Sequence, residues 1–252
     1  MNQGAILITG AGKRIGRQLA LDLAKAGRDI AIHFNESSRE AEEVAATIRA
    51  MGRRAALVQG DLADADIAER LIGSATEQIG PLSGLINNAS IFEMDQMGEV
   101  SLSSWQRHMD INLRAPVMLA QSFAKALPEN LQGNIINIID QRVWRLNPRF
   151  FSYTLSKSGL WTATRTLAQA LAPRIRVNAI GPGPALPSAR MSDADFAKQE
   201  SLTLLGRGTS PAEISEAAKF ILSQPALTGQ MIALDGGQHL VWQTKDVIEV
   251  KE

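Results

Sequence analysis

The chain has 252 residues, no cysteine, and 26 Lys+Arg balanced by 26 Asp+Glu. That length fits one large α/β domain, and an apolar fraction of 45% fills a core and argues against wholesale disorder. Zero formal charge lacks the basic excess of a nucleic-acid binder, and the missing cysteines exclude disulfides, thiolate metal sites and a cysteine nucleophile.

Three scattered histidines, His33, His108 and His239, do not form a metal-ligand pattern, so no metal is expected. Met1-Asn2-Gln3-Gly4 has no basic leader pattern, and no apolar run approaches membrane-spanning length. A cytoplasmic protein without membrane contact is the expectation.

Short β-rich runs alternate with longer helical stretches. Ala5–Thr9 reads as a strand and Arg14–Ala26 as a helix. Asp29–Phe34 is a second strand, followed by a helix over Ser37–Met51. Arg54–Gly60 and Ser83–Asn87 are the third and fourth strands, separated by a helix over Asp64–Ile79. A long helix is expected over about Leu102–Ala126. Gly133–Asp140 reads as the fifth strand, Phe151–Ala172 as a long helix and Arg174–Ile180 as the sixth strand. Pro211–Leu222 reads as helix and Gln230–Leu234 as the seventh strand.

The strands are continuous apolar runs, which suits burial on both faces. Strict alternation predicts a Rossmann-type, doubly wound parallel sheet of seven strands, with helices on both faces and the whole chain 1–252 in one domain. Gly181–Arg190 is irregular and holds Pro182, Pro184 and Pro187. A short helical piece, Ser192–Glu200, follows it. Residues 181–205 are therefore expected to form a lid over the carboxyl ends of the strands.

The loop Thr9-Gly10-Ala11-Gly12-Lys13-Arg14-Ile15-Gly16 joins the first strand to the first helix. Glycines there let the backbone turn tightly and approach a pyrophosphate at the helix N-terminus. Gly10, Lys13, Arg14 and Ile15 are candidate cofactor contacts; a plain strand-to-helix turn is the other reading. NAD-binding domains usually end the second strand in a carboxylate, and this strand ends in Phe34 and Asn35. Without that acid a 2′-phosphate meets no repulsion, and Ser37, Ser38 and Arg39 are placed to bind it. Glu36 argues the other way. The balance favours NADPH. Asp61 and Leu62 follow the third strand, with Asp61 placed to contact adenine or to cap a helix. Asn88, Ala89 and Ser90 follow the fourth strand, Asn88 and Ala89 beside the adenosine half.

Tyr153 is the only tyrosine, and Lys157 stands four residues later on the same helix face. A phenol is a poor acid near neutral pH. A neighbouring ammonium is expected to lower its pKa, so that it can protonate a carbonyl or imine that accepts hydride. Lys157 can also hold the nicotinamide ribose.

Together the glycine loop, Asn-Asn-Ala at 87–89, Asn112, Tyr153 with Lys157, and Pro182 with Gly183 resemble the classical short-chain dehydrogenase/reductase family over nearly the whole chain. The resemblance implies that Asn112 kinks its helix and joins a proton relay to Lys157 and Tyr153. It implies a small-molecule substrate and a homotetramer, with the long fourth and fifth helices at one interface. Two departures are informative. Arg14 replaces the middle glycine of the loop, and Asp140 replaces the usual serine, thirteen residues before Tyr153. Both are similar to the pteridine reductase and dihydromonapterin reductase branch. In that branch a serine and an aromatic ring in the places of Ser90 and Phe92 bind the pterin. The ending Leu234-Asp235-Gly236-Gly237-Gln238-His239-Leu240 is also similar.

The resemblance implies a catalytic set of Asn112, Asp140, Tyr153 and Lys157, and substrate contacts from Arg14, Ser90, Phe92, Asp140 and Tyr153. Pterin stacking agrees with the ring chemistry of Phe92, and donor-acceptor pairing with the carboxyl of Asp140. Loop packing for Phe92 and a solvated loop acid for Asp140 stay open. His33 and His108 read as packing or surface residues. The resulting expectation is an NADPH-dependent reductase of dihydropterins. A general carbonyl or 3-ketoacyl reductase is the alternative, and a nucleotide-sensing protein without turnover is a third reading.

Overall fold

In the computed structural model, which describes residues 4–188 and 190–248, the Ala5–Ile8 run forms strand β1, an interior strand of a seven-stranded parallel sheet. The other strands are β2 (Ile30–Phe34), β3 (Ala55–Gln59), β4 (Leu82–Asn87), β5 (Gly133–Ile138), β6 (Ile175–Pro182) and β7 (Met231–Leu234). Their spatial order is β3-β2-β1-β4-β5-β6-β7, and every pairing is parallel. The predicted doubly wound sheet is present. The order reverses between β1 and β4, which opens a crevice at their carboxyl ends.

The two-residue period of β1 explains how both faces are covered. Ile6 and Ile8 pack with α1 (Arg14–Lys25), α2 (Ser38–Ala50) and α8 (Pro211–Ser223). Ala5 and Leu7 face α3 (Ile67–Ile79), α5 (Ala115–Ala126) and α6 (Phe151–Leu171). All four β1 side chains are buried, so this strand has no polar face.

Two helices differ from their expected bounds by more than one residue or by a break. The third begins at Ile67 rather than Asp64. Asp61 and Asp64 accept hydrogen bonds from the backbone N–H groups of Ala63 and Asp66, and these local turns compete with helix. The long helix over 102–126 is not continuous. It divides into α4 (Leu102–Met109), a π-helical turn over Asp110–Arg114, and α5. Asn112 sits inside that turn, in agreement with the kink that the family resemblance implied.

The irregular stretch begins later than expected, because β6 continues through Pro182. Beyond it, α7 (Asp193–Ser201) has no buried residue. Residues 1–3, within the expected leader-free N-terminus, and residue 189, within the expected lid, lie outside the described residues, as do 249–252.

Candidate active site

The β1–α1 loop owes its path to small residues. Gly10 has φ 64, a left-handed backbone that glycine adopts without strain. A Cβ on Gly16 would lie 2.2 Å from the Gly10 carbonyl oxygen and 2.6 Å from Asn88 Nδ2. Helix α1 therefore starts directly against the end of β4. Thr9 Oγ1 accepts from the N–H groups of Asn88 and Ala89 at 2.9 and 3.0 Å, which ties the two strand ends together.

Lys13 is the N-cap of α1 and makes no side-chain cap bond, and no acid stands in the first turn. The N–H groups of that turn, with the positive end of the helix dipole, suit a phosphate. Lys13 itself forms an ion pair with Glu40 at 2.8 Å. Arg14 holds φ 52, which explains why glycine commonly stands there. Its guanidinium donates to the Pro187 carbonyl at 3.0 Å and the Leu186 carbonyl at 3.4 Å, so it spans from the glycine loop to the stretch after β6.

A cleft of about 420 Å³ opens above these strand ends. Gly10, Lys13, Arg14, Ile15, Asn88 and Ala89 line one end. Ser90, Phe92, Asp140, Tyr153, Lys157, Pro182 and Gly183 line the rest. A second cleft of about 260 Å³ shares Phe92, Asp140, Tyr153 and Gly183 with the first and continues towards α7.

The remaining expected contacts lie at the ends of β2 and β3. The side chains of Phe34 and Leu62 are both buried in the core, on opposite faces of the sheet. Only their backbone can face a ligand, and Asn35 is the exposed residue at the β2 end. Asp61 is exposed and bonds to Ala63, so the capping reading is corrected; Asp66 is the N-cap of α3. Ser37 lies beside the glycine loop, since a Cβ on Gly12 would be 3.1 Å from its Oγ.

At the centre of the cleft the Tyr153 hydroxyl donates to Asp140 Oδ2 at 3.0 Å. Asp140 Oδ1 accepts from the Arg142 N–H at 2.8 Å. The solvated-acid reading of Asp140 is corrected on this geometry. Lys157 Nζ donates to the Ile138 carbonyl at 2.9 Å and lies 5.9 Å from the centre of the Tyr153 ring. Burial pushes the Asp140 carboxyl above the ordinary carboxylate range, against the opposing pull of Arg142, Tyr153 and Lys157. Burial also lowers Lys157 to about 8. The expectation that Lys157 lowers the Tyr153 pKa is corrected. Burial and the adjacent Asp140 charge push the phenol well above its ordinary value.

Asn112 stands behind this group. Its Nδ2 donates to the Ile91 carbonyl and to Ser156 Oγ, and its Oδ1 accepts from the Ile91 N–H and the Ser90 hydroxyl. It thereby joins the segment after β4 to α6. Phe92 meets Tyr153 edge-on, with ring centres 4.7 Å apart.

Several supporting residues were not found from sequence. His33 Nδ1 accepts from the Gly10 N–H at 3.2 Å, and its Nε2 bonds the Gly60 carbonyl at 3.0 Å. Burial lowers its pKa to about 4. A histidine inside an apolar strand is the signal that could have revealed it, because a buried imidazole needs partners. His108 is also buried. The Glu93 N–H donates to its Nε2, which leaves Nδ1–H to meet Ser152 Oγ at 2.7 Å. Ser152 in turn donates to Asp95, which accepts the Ser152 N–H as well. This chain anchors the start of α6, one residue before Tyr153. The 57-residue separation of Asp95 and Ser152 left no sequence signal.

The short chain dehydrogenase family matches residues 4–198. A 3-oxoacyl-[acyl-carrier-protein] reductase from a Synechocystis strain is 31% identical over 235 residues, 92% of this chain and 95% of that protein. Among solved structures, FolM Alternative dihydrofolate reductase 1 from Brucella suis, in complex with NADP, is 50% identical with a TM-score of 0.94. The Brucella canis protein of the same description, also complexed with NADP, is 49% identical with a TM-score of 0.92. Each Brucella comparison covers 97% of this chain and 98% of the other.

Proposed function

This chain belongs to the short-chain dehydrogenase family, and from that premise we propose that it is an NADPH-dependent reductase of dihydropterins. The observation that carries the reading is the Asp140 carboxylate, hydrogen-bonded to the Tyr153 hydroxyl at 3.0 Å beside the half-exposed Phe92 ring. A pterin offers a flat ring for Phe92 and a donor-acceptor edge for a carboxyl group. The Brucella proteins described as alternative dihydrofolate reductases, bound to NADP, support it.

The uncapped first turn of α1 and the close approach at Gly10 and Gly16 fit the pyrophosphate of NADPH. Gly10, Arg14, Ile15, Asn88 and Ala89 would hold the cofactor, with Lys157, Pro182 and Gly183 at its nicotinamide end. Asn35, Ser37 and the backbone at Phe34, Asp61 and Leu62 would lie along the adenosine half. NADPH supplies the hydride. The protein's part is the proton. Tyr153 stays protonated at neutral pH and is therefore a loaded acid. Lys157, a cation below about pH 8 that donates to the Ile138 carbonyl, would hold the nicotinamide ribose beside Tyr153. Asp140 accepts the hydroxyl before transfer and, when protonated, relays a proton towards the ring nitrogen. Asn112 fixes Ser90 and the start of the Phe92 loop. Ser90 and Arg14 complete the proposed substrate contacts, and the stretch over 181–205 forms the lid.

A cytoplasmic homotetramer is part of the proposal. Leu102 on α4 and Leu155 on α6 are exposed apolar side chains on the helices expected at one interface. No helix among the described residues is long and apolar enough to cross a membrane. A second reading, 3-ketoacyl reduction, is favoured by the 31% identity to the Synechocystis enzyme. The test is to incubate the protein with NADPH and dihydropterin, following cofactor oxidation and tetrahydropterin formation, with a 3-ketoacyl thioester in parallel. Faster turnover of the dihydropterin supports the proposal. Turnover of the thioester alone overturns it.

A further inference from the structure

Phe150 immediately precedes α6 and lies three residues before Tyr153. Its backbone is left-handed, with φ 57 and ψ 52. Bulky L residues disfavour that region, whereas glycine and asparagine enter it readily. The helix does not require a phenylalanine there. Phe150 makes no side-chain cap bond, and Asp95 takes the Ser152 N–H instead. A strained residue persists only where its surroundings hold it, and such strain concentrates at functional sites.

The side chain shows what holds it. The Phe150 ring lies parallel to the Phe92 ring, with centres 4.1 Å apart and planes 10° from parallel. The Arg142 guanidinium also lies over the Phe150 ring, 5.2 Å from its centre. Arg142 is itself fixed. Its Nη1 donates to Asn147 Oδ1 at 3.0 Å, and its backbone N–H is bound by Asp140. Phe92, by contrast, is on the irregular segment between β4 and α4 and is 36% exposed. Both phenylalanines line the second cleft.

We propose that Phe150, backed by Arg142, is a positioning residue that fixes the plane of the Phe92 ring, so that flat aromatic acceptors stack beside Tyr153. The inference rests on Phe92 as the stacking partner of the substrate. It adds a selectivity device, because a small aliphatic carbonyl gains nothing from an oriented ring. Stacked aromatic pairs are oriented by their ring quadrupoles, and a cation over a ring adds to the hold.

The experiment compares Phe150→Gly, Phe150→Leu and Phe150→Tyr with wild type. KM and kcat are measured for dihydropterin, phenanthrenequinone and butanedione, with NADPH affinity and Tm beside them. Phe150→Gly removes the ring and relieves the backbone. It should raise KM for the two planar acceptors about threefold to tenfold, the range expected for one lost aromatic pair. It should leave butanedione KM and NADPH affinity unchanged and hold or raise Tm. Phe150→Leu keeps apolar bulk without the ring and should show the same KM split, so the comparison does not depend on how the glycine variant folds. Phe150→Tyr should restore wild-type values. An equal KM change for all three acceptors, or none for the planar ones, overturns the inference. If wild type reduces phenanthrenequinone but not dihydropterin and the KM split persists, the pterin proposal fails and the role of Phe150 stands.

Discussion

Replacing Asp140 by serine separates the pterin chemistry from the general chemistry of the fold. Asp140 Oδ2 receives the Tyr153 hydroxyl at 3.0 Å, and Oδ1 receives the Arg142 N–H at 2.8 Å. A serine is shorter and has one oxygen, so it cannot hold both groups. Hydrogen bonds to a charged acceptor contribute about 1.5–3 kcal/mol each. If the carboxyl relays the ring proton, Asp140→Ser also removes an acid-base contribution of about 10²–10⁴-fold, equivalent to roughly 3–5 kcal/mol in the barrier. The same change frees Tyr153 from the negative charge that raises its pKa. Dihydropterin kcat/KM should therefore fall by about two orders of magnitude or more, while butanedione reduction persists or rises. The assay is NADPH oxidation with each acceptor. In wild type, dihydropterin turnover should rise as the solution is made mildly acidic. The Asp140 pKa is raised, so lowering the pH increases its protonated fraction. That rise should be absent from Asp140→Ser. Equal losses on both acceptors would refute the relay and leave Asp140 as a structural group.

Tyr153→Phe keeps the ring and removes the acid, so NADPH affinity should hold while kcat drops about 10²–10⁴-fold; retention of more than about half the activity contradicts the assignment. Wild type should show higher kcat/KM with NADPH than with NADH, and Asn35→Asp should shift that preference towards NADH by repelling the 2′-phosphate. Phe34→Asp is the wrong probe, since it would bury a charge in the core. His33 should make the fold acid-sensitive. Its folded pKa of about 4 lies below the ordinary 6.5, so the unfolded chain takes up the proton first. Stability should fall by about 3 kcal/mol between those pH values. Urea unfolding of wild type and His33→Gln at neutral pH and at about pH 4.5 measures this, and an equal pH slope in both proteins would exclude His33 as its source.

The sheet was legible because its strands are unbroken apolar runs, which a buried parallel sheet demands. Tyr153 and Lys157 were legible because i, i+4 spacing fixes a shared helix face. Asp140 was legible only through family resemblance, and its partner Tyr153 is one step away in space but thirteen residues away in sequence. The division of 102–126 was legible only as the kink at Asn112 that the family resemblance implied. The burial of the Phe34 side chain was not legible, because a strand-end position does not reveal which face its side chain takes. Asp95, His108 and Ser152 form a buried polar chain whose members are brought together only by the tertiary fold. Phe150 gave no signal at all, since a positive φ at phenylalanine is visible only in the backbone itself.

The central claim is that the hydride acceptor is a pterin ring. It is tested most directly by competition, with NADPH carrying deuterium at the transferred position. The protein is given equal concentrations of dihydropterin and a 3-ketoacyl thioester, and both products are analysed by mass spectrometry. Deuterium predominantly in the tetrahydropterin is the predicted result. Deuterium predominantly in the hydroxyacyl thioester would contradict it and make the chain a ketoacyl reductase.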